Sequence, residues 1–211
     1  MATLSELLKN LSPNFESKIL DFGCGDGREM VSMRRNGFKN LTGFDIARWS
    51  VDAEEVESTI IEADSIAFLE KNTSKFDVIF SRESAHYTPV DQQNRLWSAF
   101  YGALKPHGKI IVIAFNGALS TSAWMLQKDL NLKFALNEKT LHSFPRNAGF
   151  ANIHIEKIKP EHRTIVGTVF FWFVLGIGEL NSRLRYFTER GLDKENPRIF
   201  SKHIVMTATK D

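Results

Sequence analysis

The chain has 211 residues, 43% of them hydrophobic and 25% charged, with 6 Pro against 13 Gly. This composition excludes disordered, collagen-like and fibrous chains and suffices for one domain with a sizeable core. One cysteine, Cys24, excludes an internal disulfide framework and a zinc cluster of several thiolates, and 27 basic against 25 acidic residues leave a net +2, without the basic excess of a nucleic-acid binder.

At the amino terminus, Leu4, Leu7, Leu8 and Leu11 recur at helical spacing until Ser12-Pro13 stops them. No basic region followed by a continuous apolar core precedes them, so the stretch does not read as a secretory signal, and the cytoplasm is the expected compartment. Lys18–Phe22 is a short apolar strand ended by a glycine cluster, and Arg28–Asn36 is a helix closed by Gly37. The alternation repeats: strand Asn40–Ile46, helix Ser50–Glu57, strand Thr59–Glu62, helix Ile66–Lys71, strand Phe76–Ser81, helix Gln92–Leu104, a Lys105–Gly108 turn and strand Lys109–Phe115. Beyond it, Ser120–Phe134 and Glu138–Gly149 read as helices, and Ala151–Ile158 and His203–Thr209 as strands. Strands separated by helices of this length indicate βαβ units, hence a doubly wound α/β fold with a parallel sheet. The chain reads as a single domain, 1–211, in which 159–202 is an insertion with its own aromatic content.

The sharpest local feature is Ile19-Leu-Asp-Phe-Gly-Cys-Gly-Asp-Gly27, a strand running into Gly23, Gly25 and Gly27 and then into a helix. Glycines there permit unusual dihedrals and close approach of a ligand, while the helix N-terminus offers unpaired amides. The spacing is G-x-G-x-G, not the G-x-G-x-x-G of a dinucleotide turn, and Asp21 and Asp26 disfavour a diphosphate while suiting an ammonium. Asp45, at the tip of the second strand, is placed to accept ribose hydroxyls, and Asp64, after the third, to receive a purine amine.

These residues together resemble the class I S-adenosylmethionine-dependent methyltransferases that act on small molecules. Residues 19–27 match the glycine-rich first motif, Leu41–Asp45 the second, Ala63-Asp64 the adenine acid and Phe76–Ser81 the fourth strand. Leu104–Val112 and Ala148-Gly-Phe150 match later parts of the family pattern. The resemblance implies a Rossmann-like, seven-stranded, mostly parallel sheet with its last strand antiparallel. It also implies a cofactor, S-adenosylmethionine, leaving as S-adenosylhomocysteine. Its binding residues would be Asp21, Gly23, Cys24 and Gly25 in the turn, Asp45 with Ile46, Asp64 with Ser65, and Ser81 with Arg82 beside the methionine end.

Methyl transfer to a hydroxyl or an ammonium needs a proton removed at some stage, and a group titrating near neutrality suits that task. His86, in the loop Ser81–Pro89, is the first candidate base; Glu83 and Tyr87 share the loop and are candidates to orient the acceptor. Each competes with a plain packing or solvent role. His203, His154 and His107 read as unrelated to catalysis, and no metal cluster is evident. The fourth strand lacks the Asn/Asp-Pro-Pro-aromatic sequence of relatives that methylate nucleic-acid bases, so a small or medium organic acceptor methylated at oxygen or nitrogen is expected, with no nucleic acid. Cover for the site is expected from 116–136 and 159–202. The apolar run Val169–Ile177 is read as core, acceptor pocket or homodimer interface, with membrane contact ranked last. The competing function is a non-catalytic module that binds S-adenosylmethionine or S-adenosylhomocysteine and meets a protein partner through this insertion.

Overall fold

The computed structural model describes residues 14–47, 59–61, 64–119, 127–157, 165–190 and 197–211. Its seven strands are β1 (Ile19–Phe22), β2 (Leu41–Asp45), β3 (Thr59–Ile61), β4 (Phe76–Arg82), β5 (Leu104–Phe115), β6 (Ala151–Lys157) and β7 (His203–Thr209). Five helices are described: α1 (Arg28–Arg35), α2 (Ser65–Lys71), α3 (Gln93–Ala103), α4 (Glu138–Asn147) and α5 (Ile165–Arg190). The strands form one sheet in the order β3-β2-β1-β4-β5-β7-β6. β7 runs antiparallel to both neighbours, whereas the pairs from β3 to β5 are parallel. The chain order therefore reverses between β1 and β4, and such a switch point leaves a crevice at the carboxyl ends of the strands.

Both faces of the sheet are buried, which is why the strands read as continuous apolar runs. On one face Phe22, Phe44, Ile79, Val112 and Met206 pack against Phe68 of α2, Trp97 and Phe100 of α3 and Leu141 of α4. Phe44 stacks on Phe22 at 5.4 Å and on Phe68 at 4.3 Å, so an aromatic column ties β1 and β2 to α2. On the other face Ile19, Val78, Phe80 and Ile111 meet Met30 and Met33 of α1.

Two expectations are revised. Leu104 pairs with Phe76 and Lys109 with Val78, so the Lys105–Gly108 turn is a bulge within β5, with His107 at a left-handed φ of 62°. Residues 129–134 are not helical. The Asp129 carboxylate accepts from Asn131 N, and the amides of Lys133 and Phe134 both donate to the His86 carbonyl, which takes them out of any helical ladder. Among the described residues of 159–202, 165–190 form α5, a helix of 26 residues, where a helical insertion was expected. Its described contacts include the Lys157–Glu179 ion pair, the Arg183 bond to Arg198 O and the approach of Arg183, Tyr186 and Phe187 to Phe200, all on the β6–β7 side of the sheet. The amino-terminal helix and the Ser50–Glu57 helix lie outside the described residues. Among the described residues no helix is long and apolar enough to cross a membrane.

Phe68 is the end of the aromatic column and is fully buried. Phe68→Ala is expected to lower unfolding free energy by about 3–5 kcal/mol in a denaturant titration, because the vacated volume lies between two fixed layers.

Candidate active site

β1 ends where the chain turns through left-handed dihedrals, with φ of 76° at Gly23, 52° at Gly25 and 77° at Gly27. Non-glycine residues are strained in that region, so the glycines are what let the strand reverse into α1. The amides of Gly23 and Cys24 both donate to the Phe44 carbonyl, at 2.8 and 3.0 Å, which fixes the turn to the end of β2. Gly27, at the cap of α1, supplies no side-chain hydrogen bond, and the first helical amide, Arg28 N, donates to Asp26 Oδ1 at 3.3 Å.

Beside this turn is a cavity of about 310 Å³ lined by Asp21, Gly23, Cys24, Asp26, Arg28, Glu29, Arg82 and Glu83. Arg28 pairs with Asp26 at 2.5 Å, and Arg82 pairs with Glu29 and lies 3.8 Å from Glu83. Asp21 is different. Its side chain is buried, and Oδ2 has no hydrogen-bond partner. Burial first, then the charges of Glu29 and Asp45, push its carboxyl up to about 8, with Arg82 pulling the other way. A buried acid kept proton-bearing for want of a cation is a site that fits an ammonium group.

Asp45 is buried at the tip of β2, and both its oxygens are engaged: Oδ2 accepts from Gly25 N at 2.8 Å and Oδ1 from Ala47 N at 3.0 Å. It therefore braces the glycine turn, and each oxygen keeps a further lone pair for a ligand hydroxyl. Ile46 beside it is 56% exposed, an apolar side chain held in the open at the strand end. Asp64 caps α2, its Oδ1 accepting from Ile66 N and Ala67 N at 3.0 and 2.9 Å, and Ser65 is the first residue of that helix. Neither Asp64 nor Ser65 lines the cavity. Ser81 is wholly buried, its hydroxyl 2.6 Å from that of Ser84, which donates to the Phe22 carbonyl at 2.7 Å. Ser81 thus supports the turn from beneath, through a serine that sequence reasoning passed over.

The loop after β4 is held at several points. Glu83 adopts a left-handed φ of 56°, and its amide donates to Ile113 O at 2.8 Å. Its carboxylate faces the cavity and lies 2.9 Å from His203 Nε2, an ion-pair distance at which the ring N–H is not aligned for a hydrogen bond. Burial would raise the Glu83 carboxyl, but His203 first and then Arg82 outweigh it and hold the group below its ordinary value. His86 is buried with both nitrogens in use: Nδ1 lies 2.9 Å from the Phe134 carbonyl and Nε2 accepts from Phe115 N at 2.9 Å. The Phe134 bond requires the proton on Nδ1, and burial lowers the pKa below the usual histidine value, so the ring is neutral. This arrangement leaves His86 no lone pair for an acceptor's proton, which is not what a general base at that position needs. Tyr87 is partly exposed and donates to Asp129 at 3.1 Å; burial and then Asp129 raise its phenol, keeping it protonated.

The structure thus gathers Asp21, Gly23, Cys24, Arg82 and Glu83 on one cavity, with Gly25 and Asp45 bracing it. Sequence reasoning missed three residues that shape it: Ser84, His203 and Gln93. Gln93 is buried and donates to the Ala85 and Thr88 carbonyls, both at 2.9 Å, while accepting from Trp97 Nε1. A small residue opposite a glycine turn is a signal for Ser84; nothing in spacing points to His203.

Two outcomes are expected. A Cβ on Gly23 would lie 2.2 Å from Ser84 Cβ, whereas one on Gly25 meets nothing within 4 Å. In thermal unfolding Gly23→Ala should be the far more destabilising, and Gly25→Ala should cost only the roughly 1–2 kcal/mol of its dihedral. For Asp21, a folded value of about 8 against an ordinary 3.8 means that the folded chain binds the extra proton. Stability should therefore fall as pH rises from about 4 to about 8. Asp21→Asn should abolish that decline in stability curves measured across the same window.

A family model described as a methyltransferase domain matches residues 2–155. The chain is similar to phosphoethanolamine N-methyltransferase of Plasmodium falciparum, 29% identical over 112 residues that make up 51% of this chain and 42% of that protein. It is also similar to phosphoethanolamine N-methyltransferase 2 of Caenorhabditis elegans, 26% identical over 98 residues, 44% of this chain and 21% of that protein. The chain thus spans less than half the length of either relative. Among solved structures, a SAM-dependent methyltransferase from Archaeoglobus fulgidus superposes with a TM-score of 0.67 at 18% identity, covering 98% of this chain and 93% of that one.

Proposed function

Since the chain belongs to the methyltransferase-domain family, with the fold of the class I S-adenosylmethionine-dependent enzymes, we propose that it methylates a small organic acceptor at nitrogen or oxygen. The observation that carries this reading is the unpartnered carboxyl of Asp21 in a cavity beside a glycine turn. An amino-acid tail has the matching charges: its ammonium meets Asp21, and its carboxylate meets the N-terminal end of α1. Asp45 keeps acceptor capacity for ribose hydroxyls, Ile46 offers apolar contact to a base, and Asp64 stands at the next strand end. When bound, S-adenosylmethionine supplies a sulfonium methyl whose leaving group is a neutral thioether.

What the chain's own residues contribute is position. Holding two reactants in line is worth about 7–11 kcal/mol, so a strong acid–base apparatus is not required. His86 serves this reading as a brace between β5 and the segment at Phe134, not as the base. Glu83, held ionised at the cavity edge, is the group that can hold a cationic amine in place before transfer. Tyr87, still protonated, has its one O–H on Asp129 and keeps only its oxygen lone pairs for an acceptor. The curated relatives are named for phosphoethanolamine, which makes that compound the first acceptor to test. Cytoplasmic residence belongs to the same reading, since the lone, buried Cys24 suits a reducing compartment.

The locked His86 also gives weight to a second reading, a module that retains S-adenosylmethionine or S-adenosylhomocysteine without transfer. Transfer of labelled methyl from S-adenosylmethionine to phosphoethanolamine and a panel of small amines and hydroxy acids separates the two. Labelled product is expected from the wild type. Asp45→Ala is expected to bind S-adenosylhomocysteine at least about 100-fold more weakly by calorimetry, as befits a lost charged acceptor and a loosened turn. Binding with no transfer to any acceptor would favour the module.

A further inference from the structure

His203 is the first residue of β7 and pairs across the sheet with Phe115 of β5. Its ring lies 5.1 Å from that phenylalanine ring, a packing role that another phenylalanine would fill equally well. A histidine there carries a cost. Nε2 is buried away from water without an aligned hydrogen-bond partner, and an unsatisfied polar atom works against folding. The group within its reach is the Glu83 carboxylate, with Oε1 2.9 Å away. Glu83 is itself held at a left-handed φ of 56°, so two features that cost stability meet in one contact on the cavity wall.

The chain leading into β7 is built to hold that contact. The Asn116 amide donates to the Lys202 carbonyl at 2.9 Å, and Asn116 Nδ2 donates to the carbonyls of Ile199 and Ser201 at 2.7 and 3.1 Å. Glu138 accepts from the amides of Arg198 and Ile199, and the Ser201 hydroxyl donates to the His203 carbonyl at 2.7 Å. The backbone beneath His203 is thereby fixed both to the end of β5 and to the start of α4.

The other charged and titratable groups around Glu83 are engaged elsewhere. Arg82, on the same strand end, is 3.8 Å away and shared with Glu29 of α1, while Arg28 of α1 is paired with Asp26. His86 has both ring nitrogens in use, and Tyr87 donates to Asp129. Asp21, Asp26 and Glu29, the acids of the same cavity, bring no positive charge. His203 is left, and among the described residues its ion-pair partner is Glu83. We propose, on the reading of the chain as a methyltransferase, that His203 is the positioning residue of the acceptor side, holding the Glu83 carboxylate on the cavity wall where it receives the ammonium of an amine acceptor. The protonated ring also stands first among the groups that favour an ionised Glu83 against burial. Acceptors bearing an ammonium are thus favoured over their hydroxyl counterparts, and acid weakens their binding once Glu83 takes up a proton.

Carbon-13 NMR titration of the glutamate carboxyls in the full chain tests the pairing, with Glu83 assigned from Glu83→Gln; kcat and KM measured against pH test its consequence. The Glu83 midpoint should lie below the ordinary glutamate value in the wild type and rise by about one pH unit or more in His203→Phe, which keeps a ring on Phe115. For an amine that the wild type methylates, phosphoethanolamine being the first tried, the acid limb of kcat/KM should move up with that midpoint relative to wild type, and the loss should fall on KM. If His203→Phe does not fold, His203→Gln, which keeps a donor and loses the charge, should give a smaller rise of the same sign. A folded variant whose Glu83 midpoint stays in place would overturn the role of His203, and so would a moved midpoint with an unmoved acceptor KM. Methyl transfer to hydroxy acids alone would overturn the amine as acceptor. Transfer to no acceptor would instead overturn the methyltransferase reading, while the NMR midpoint, read without turnover, still decides the pairing.

Discussion

The constraint on which the rest of this structure depends is the placement of the Asp21 carboxyl at the end of a central strand, buried and with one oxygen unpartnered. A group in that state works against folding, since burial of an unsatisfied polar atom costs about 1–3 kcal/mol. Its neighbours sharpen the effect: Glu29 and Asp45 add negative charge, Arg82 is divided between Glu29 and Glu83, and Arg28 is paired with Asp26. Topology makes the arrangement unavoidable. Parallel pairing of β1 with β2 and β4 brings the ends of three strands to one crevice, so Asp21, Asp45 and Arg82 meet there although they are far apart in the chain. A cation in the crevice would offset that cost.

The loop after β4 shows the same preference for fixed geometry. Ser84 hangs it from the Phe22 carbonyl, Gln93 ties Ala85 and Thr88 to α3, and His86 spans from β5 to Phe134. Glu83 is pinned at a left-handed φ by its amide bond to Ile113. Backbone strain of that kind persists only where surroundings overdetermine it, and here it aims a carboxylate into the cavity. The division of labour follows: buried polar residues hold the loop still, and the few groups left facing the cavity carry charge.

Most of the architecture was legible in the sequence because doubly buried strands cannot hide. Ile19–Phe22, Phe76–Arg82 and His203–Thr209 are runs that only a covered sheet accepts, and the glycines at 23, 25, 27 and 37 mark the turns. The glycine turn and Asp45 were found for the same reason, since their roles are local. What failed was decided at long range. Ser120–Phe134 reads as one helix, yet the amides of Lys133 and Phe134 are captured by the carbonyl of His86. The loop position of His86 is visible in the sequence, whereas its partners at 115 and 134, which weigh against its candidacy as a base, are not. Glu83 and His203 are 120 residues apart and meet only because β7 inserts between β5 and β6.

The central claim is that Asp21 waits in its protonated form and ionises when an ammonium arrives. Calorimetry of S-adenosylhomocysteine binding near neutral pH, repeated in buffers of different ionisation enthalpy, reads the protons exchanged. Release of about one proton per ligand by the wild type and none by Asp21→Asn is the predicted result, given a free carboxyl value of about 8. Wild-type binding whose heat is the same in every buffer would contradict it.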